Sequence, residues 1–168
     1  MKRLLLIVLL VAACTTPAEV SPSPSATTTP LPSPSATLDP RPARSSELEA
    51  AAGRWLETGY VAYTFTLERR CYCLDAARGP WTVTVLGDAV ALFTADDREA
   101  DASLIDGMPQ TIDQLFTFLR TQLGADDFSV SYDSVTGAPL TISIDPSFQM
   151  ADEEVGYTIS GLTPYTVD

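Results

Sequence analysis

Three stretches near the C-terminus set the frame: Phe128-Ser129-Val130-Ser131-Tyr132, Leu140-Thr141-Ile142-Ser143-Ile144 and Val155-Gly156-Tyr157-Thr158-Ile159-Ser160. In each, large apolar residues alternate with Ser, Thr or Gly at a period of two. A strand projects successive side chains to opposite faces, so each stretch has one apolar face and one hydroxylated face. Strands of this kind share a sheet when a second layer covers the apolar side and water wets the other. That is the pattern of an antiparallel sheet; strands of a parallel sheet are buried on both faces.

The first half of the chain repeats the pattern. Val61, Tyr63, Phe65 and Leu67 alternate with Ala62, Thr64, Thr66 and Glu68. Trp81 to Leu86 and Ala89 to Thr94 flank Gly87-Asp88, a pair suited to a two-residue hairpin turn. Such a turn sets Val85 opposite Val90 and Val83 opposite Leu92, with all four on one face. The covering layer comes from two amphipathic stretches. Behind the capping box Ser46-Glu47-Leu48-Glu49, the residues Leu48, Ala51, Ala52, Trp55 and Leu56 follow helical spacing up to Gly59. Behind Thr111-Ile112-Asp113-Gln114, the stripe Ile112, Leu115, Phe116, Leu119 and Leu123 runs up to Gly124. The expected fold is α+β, an antiparallel sheet with helices packed on one face, in the order αβββαβββ. Gly79 to Val85 echoes Gly137 to Ile144, which suggests two copies of one αβββ unit.

The N-terminus has a different character. Lys2 and Arg3 precede an apolar run from Leu4 to Ala13, which ends in Val11-Ala12-Ala13-Cys14. The run is shorter than the roughly 20 residues a membrane span needs and has the layout of a removable export signal. Val-Ala-Ala-Cys resembles the lipobox of bacterial lipoproteins. That resemblance implies removal of residues 1–13 and acylation of Cys14 as the mature N-terminus. The alternative is an ordinary secretory peptide cut after Ala13. Thr15 to Arg44 then holds eight of the thirteen prolines, many Ser and Thr, and few large apolar residues. Such a composition cannot offset its ordering entropy and is expected to form a disordered tether, either a plain spacer or one carrying O-linked sugars. Residues 45–168 are enough for one domain.

Charge and residue types exclude much chemistry. The net charge is −12, histidine is absent, and Lys2 is the one lysine, lost with the signal. The mature chain therefore has no imidazole base, no Ser-His or Cys-His pair and no Schiff-base lysine. Its acidity opposes contact with nucleic acid, so no nucleic-acid partner is expected. No cofactor is implied.

Two constellations stand out as candidates for chemistry. Cys71-Tyr72-Cys73 leaves two thiols once Cys14 is acylated, in a compartment where pairs oxidise. On an undisturbed strand their Cα atoms would stand about 6.5–7 Å apart, the upper limit for a disulfide, so a bridge requires a bend. Arg69 and Arg70 favour a reactive thiolate. Three readings stand open: a local clip, a redox-active dithiol and a soft-metal site for Cu(I) or zinc. Two thiolates without histidine are too few for a closed zinc site. The second constellation is acidic, with Asp96, Asp97, Glu99 and Asp101 in one loop and Asp152, Glu153 and Glu154 before the last strand. Asp96, Asp97, Asp152 and Glu154 are candidate ligands for a hard cation, set against solvated loop charge. Their spacing does not fit an EF-hand, because Ala102 stands where glycine is needed, and no metal site is expected. Trp55 and Trp81 sit on apolar stripes, which favours core positions over sugar-stacking platforms. The Ser/Thr face of the sheet is either its wet side or a binding surface.

Together these residues resemble a family of bacterial exported domains of unknown function, often found in lipoproteins. The resemblance rests on Trp55, Tyr60 to Phe65, Cys71-Tyr72-Cys73, Val83 and Val85 with Gly87, and Thr111 to Phe116. It continues through Tyr132-Asp133, Gly137-Ala138-Pro139, Ile142-Ser143-Ile144-Asp145 and Asp152-Glu153-Glu154. Ala138 departs from the aromatic usual at its place. The resemblance implies one compact exported domain and supplies no activity. The function expected is that of a non-enzymatic, membrane-anchored lipoprotein outside the cytoplasm. It would meet the membrane through its lipid and bind an envelope or extracellular protein or ligand. If the host has an outer membrane, Thr15 after the cysteine favours that membrane. The alternative is a thiol-redox or copper-handling lipoprotein that uses Cys71 and Cys73.

Overall fold

The computed structural model describes residues 39–165 except Asp97, so Cys14, the signal and most of the expected tether lie outside the described residues. Helix α1 (Arg41–Thr58) leads into β1 (Ala62–Cys71), followed by a 3₁₀ turn (Asp75–Ala77), β2 (Trp81–Leu86), β3 (Ala89–Ala95) and β4 (Arg98–Glu99). Helices α2 (Ala102–Ile105) and α3 (Ile112–Thr121) then precede β5 (Asp127–Tyr132), β6 (Pro139–Asp145) and β7 (Val155–Pro164). The strands form one seven-stranded sheet in the order β4-β3-β2-β1-β7-β6-β5. Every neighbouring pair is antiparallel. The fold is α+β, as the alternation requires.

The apolar faces make one core. Tyr63, Phe65 and Leu67 of β1, Trp81, Val83 and Val85 of β2, Ile142 and Ile144 of β6 and Ile159 of β7 are buried in one cluster with Leu48, Trp55, Leu115 and Leu119 of the helices. Both tryptophans are core residues. Among the described residues, no helix is long and apolar enough to cross a membrane.

Local details depart from the sequence pattern for identifiable reasons. α1 starts at Arg41, ahead of the expected capping box, with a proline in its first turn and Asp39 accepting from the Arg41 amide at 3.0 Å. Proline suits the first helical turn because its missing N–H is not needed there. Ser46 is therefore inside the helix, and Glu49 pairs with Arg120 of α3 at 2.8 and 2.9 Å. Leu56 and Val61, expected on apolar faces, are exposed. α3 keeps Thr111 as its cap, but the Gln114 side chain accepts from the Gln110 amide instead of closing the box on Thr111. The helix ends at Thr121, short of Gly124. Just beyond it, Arg44 donates to the carbonyls of Leu123 and Ala125 at 3.1 and 2.7 Å. The expected loop between Asp96 and Gly107 contains β4 and α2, with Asp101 capping α2 through Ser103.

Three bulges interrupt the pairing, one of them between β1 and β7 at Thr64–Thr66, and the other two change which of the expected apolar residues face inward. In the β2–β3 hairpin Val85 does face Val90, but a register shift puts Phe93 opposite Val83 and moves Leu92 to the open face. A second shift sets Tyr132 opposite Pro139, leaving Leu140 partly exposed. A bulge inserts one residue and so reverses the parity beyond it.

The topology is not that of two rotated αβββ copies. Matching β1-β2-β3 to β5-β6-β7 keeps the left-to-right order but reverses every strand direction. A rotation that does this also exchanges the two faces of the sheet, yet α1 and α3 pack into the same core.

Candidate functional site

The open face of the sheet is ordered in ranks set by strand register. Glu99, Thr94, Thr82, Thr66 and Ser160 lie side by side across five strands. Glu68, Thr158, Thr141 and Ser131 form the next rank, and Arg70, Gly156, Ser143 and Ser129 the one beyond. The third rank is adjacent to the Cys71-Tyr72-Cys73 turn, because β1 ends at Cys71 opposite Val155.

There the chain makes the bend that a bridge requires. Cys71 and Cys73 are joined as a disulfide with their Cα atoms 5.3 Å apart, well inside the spacing of an undisturbed strand. Arg78 holds the turn from outside, donating to the carbonyls of Cys71 and Cys73 at 3.3 and 3.2 Å and pairing with Asp75. The loop closed is only three residues, and its entropy is worth about 1.6 kcal/mol before any native-state cost. A C71S/C73S double variant should lose no more than about that much in urea unfolding; a loss above about 3 kcal/mol would mean the bridge holds more than its own loop.

Beside the turn is a depression of about 320 Å³. Its lining includes Arg70, Cys71, Tyr72, Ser143, Asp152 and Glu154, with Gly156 in its floor. Two groups that are far apart in sequence, the cysteine turn and the Asp152–Glu154 loop, thus meet through the β1–β7 pairing. The Arg70 guanidinium sits against Gly156, and a Cβ there would come within 2.9 Å of both it and the Ile142 carbonyl oxygen. Arg70 donates to that carbonyl at 3.4 Å. Gly156 is a seat that no other residue leaves open.

The remaining acidic candidates are not brought to this place. Asp96 lines a separate depression with Pro80, Trp81 and Asp101. Asp101 is committed to Ser103, whose hydrogen bonds hold its carboxyl below the usual range. Asp97 lies outside the described residues. Among the described residues, no group of three or more His, Cys, Asp or Glu side chains is placed to hold a metal ion.

A family model described as a family of unknown function, DUF6174, matches residues 47–164. The chain belongs to this family. No curated protein matches it, and no solved structure does.

Much of the DUF6174 region is framework. Trp55 donates from its indole nitrogen to Asp113 at 3.2 Å and meets Tyr60 and Tyr63 edge-on. The Tyr63 hydroxyl accepts from the Ile112 amide at 3.3 Å, and burial pushes its pKa up to about 12. These contacts fasten the start of α3 to α1 and β1. Asp133 accepts from the amides of Val135 and Thr136 and from the Thr136 hydroxyl, which lowers its pKa, and turns the chain toward Gly137. Gly137 packs directly on α1. Sequence reasoning weighed Arg70 only as a neighbour of the thiols and missed Gly156. A glycine inside a strand is the signal that was there, since it often marks close approach by another group.

Proposed function

We propose that this DUF6174 chain is a lipoprotein, acylated on Cys14 and anchored outside the cytoplasm, whose domain binds an envelope or extracellular partner without turning it over. In this reading the membrane contact is the lipid, and nucleic acid is not a partner. The observation that supports it is the uncovered sheet face. Its first two ranks carry seven hydroxyls and two charges, Glu68 and, on the edge strand, Glu99, in a chain of net charge −12. A low-charge face on an acidic protein is where another surface can approach with least repulsion. The Cys-aromatic-Cys and Tyr-Asp…Gly-x-Pro stretches are proposed as shared marks of the family, supported by the turns they build.

Two measurements test this. Cells fed an alkyne fatty acid should label the wild-type chain, and C14S should remove the label and release the protein from membranes. Labelling of C14S at the wild-type level overturns the anchor. A photo-cross-linker at Thr66 or Thr158 should trap a partner that one at Val135, exposed in the β5–β6 turn, does not; saturable turnover by the purified chain overturns the non-enzymatic reading. A second reading, thiol redox or copper handling, is favoured by Cys71 lining the depression. Dithiol exchange or metal retention lost in C71S would support it.

A further inference from the structure

We propose that the depression at the end of β1 binds a small zwitterion, a free amino acid or dipeptide, with its carboxylate on Arg70 and its ammonium on Asp152 and Glu154. The proposal rests on the reading of the chain as a binding domain and names the ligand class for that site.

Arg70 supplies the anion half. Its guanidinium has five N–H donors, of which one is spent on the Ile142 carbonyl, and among the described residues it has no ion-pair partner. Gly156, with no Cβ, lets the guanidinium settle against the sheet. A planar fork matches a carboxylate with two parallel hydrogen bonds. Ser143, next to Gly156 in the same rank, adds a hydroxyl donor on the floor.

Asp152 and Glu154 decide what else the ligand carries. Both line the same depression, and neither has an ion-pair partner among the described residues. A simple anion on Arg70 would bring negative charge beside two carboxylates, and a phosphate dianion would bring more. A ligand that carries its own ammonium turns that repulsion into attraction. The volume of about 320 Å³ suits a free amino acid or dipeptide rather than a large cofactor. Exposed Tyr72 forms one wall.

The probe is glycylglycine, titrated into the ¹⁵N-labelled full chain in detergent at neutral pH and followed at the Ser143 and Gly156 amides. The expected result is saturable shifts with a Kd on the order of 1 mM. N-acetylglycine, which lacks the ammonium, and glycinamide, which lacks the carboxylate, should each bind about tenfold more weakly. R70Q should abolish the shifts, and R70K should retain part of them. In D152N/E154Q, glycylglycine and N-acetylglycine should bind equally. Asp152 has a left-handed backbone at φ 72°, which Asn also tolerates, so this variant keeps the loop.

The proposal is overturned if no saturable shift appears, if N-acetylglycine equals glycylglycine on the wild type, or if R70Q binds normally. Inorganic phosphate binding more tightly than glycylglycine also overturns it, in favour of a plain anion site. Flat titrations with fatty-acid labelling and Thr66 cross-links intact remove the ligand class alone. Loss of the labelling and cross-links removes the reading beneath it.

Discussion

Gly137→Ala should cost about 2 to 5 kcal/mol of folding free energy, enough to remove much of a small domain's stability. Gly137 sits at φ 78°, where an L side chain pays about 1–2 kcal/mol. A Cβ there would overlap the Ala51 carbonyl oxygen and stand 2.9 Å from Arg54 Cβ and 3.0 Å from the Trp55 amide nitrogen. These are parts of α1 that cannot swing aside as a flexible side chain could. Forcing them apart adds about 1–3 kcal/mol. Gly87→Ala is the control that separates the terms. Its φ is 61°, but a Cβ meets nothing within 4 Å, so only the backbone cost of about 1–2 kcal/mol is expected. Urea unfolding midpoints measure both. A G137A loss no greater than that of G87A would show that α1 does not press on this turn.

Trp55→Ala is the second large effect, about 3 to 5 kcal/mol. The side chain is 4% exposed and lies between α1, β1 and the start of α3, edge-on to Tyr60 and Tyr63. Its removal leaves a cavity and strips Asp113 of its indole donor. Trp55→Phe separates these contributions, because it keeps an aromatic ring and gives up the hydrogen bond. Asp113 is exposed, so water replaces the lost donor and the cost of that bond is about 1 kcal/mol. Equal losses for the two variants in urea unfolding would place the energy in the hydrogen bond and contradict the packing account.

The sheet was legible because a period of two survives along most strands and hydroxyls mark the outer face so consistently. Its errors cluster at single inserted residues. Nothing in Ala89 to Thr94 announces that Phe93, not Leu92, takes the place opposite Val83, since both are large and apolar. The same holds where Pro139 displaces Leu140. The start of α1 was hidden because Pro40-Arg41-Pro42 continues the composition of the Pro/Ser/Thr stretch while serving as a helix start. For the candidate site, residue types were legible and adjacency was not. Cys71, Asp152 and Glu154 each drew notice alone, but only the antiparallel pairing of β1 with β7 brings them together. Arg70 and Gly156 form one unit through that same pairing, and no local spacing encodes it.

That pairing has a further consequence, which concerns the order of events in folding. The last strand in the chain is not an edge of the sheet but its middle, where Leu67 must meet Ile159. A chain that has made only its first four strands has a meander with one raw inner edge, and β5 with β6 forms a separate hairpin. Neither has a finished sheet until β7 arrives between them. Contacts between residues this distant in sequence are slow to close and form late. The C-terminal strand is thus the keystone. A truncation that would trim an edge in many sheets here divides the domain in two.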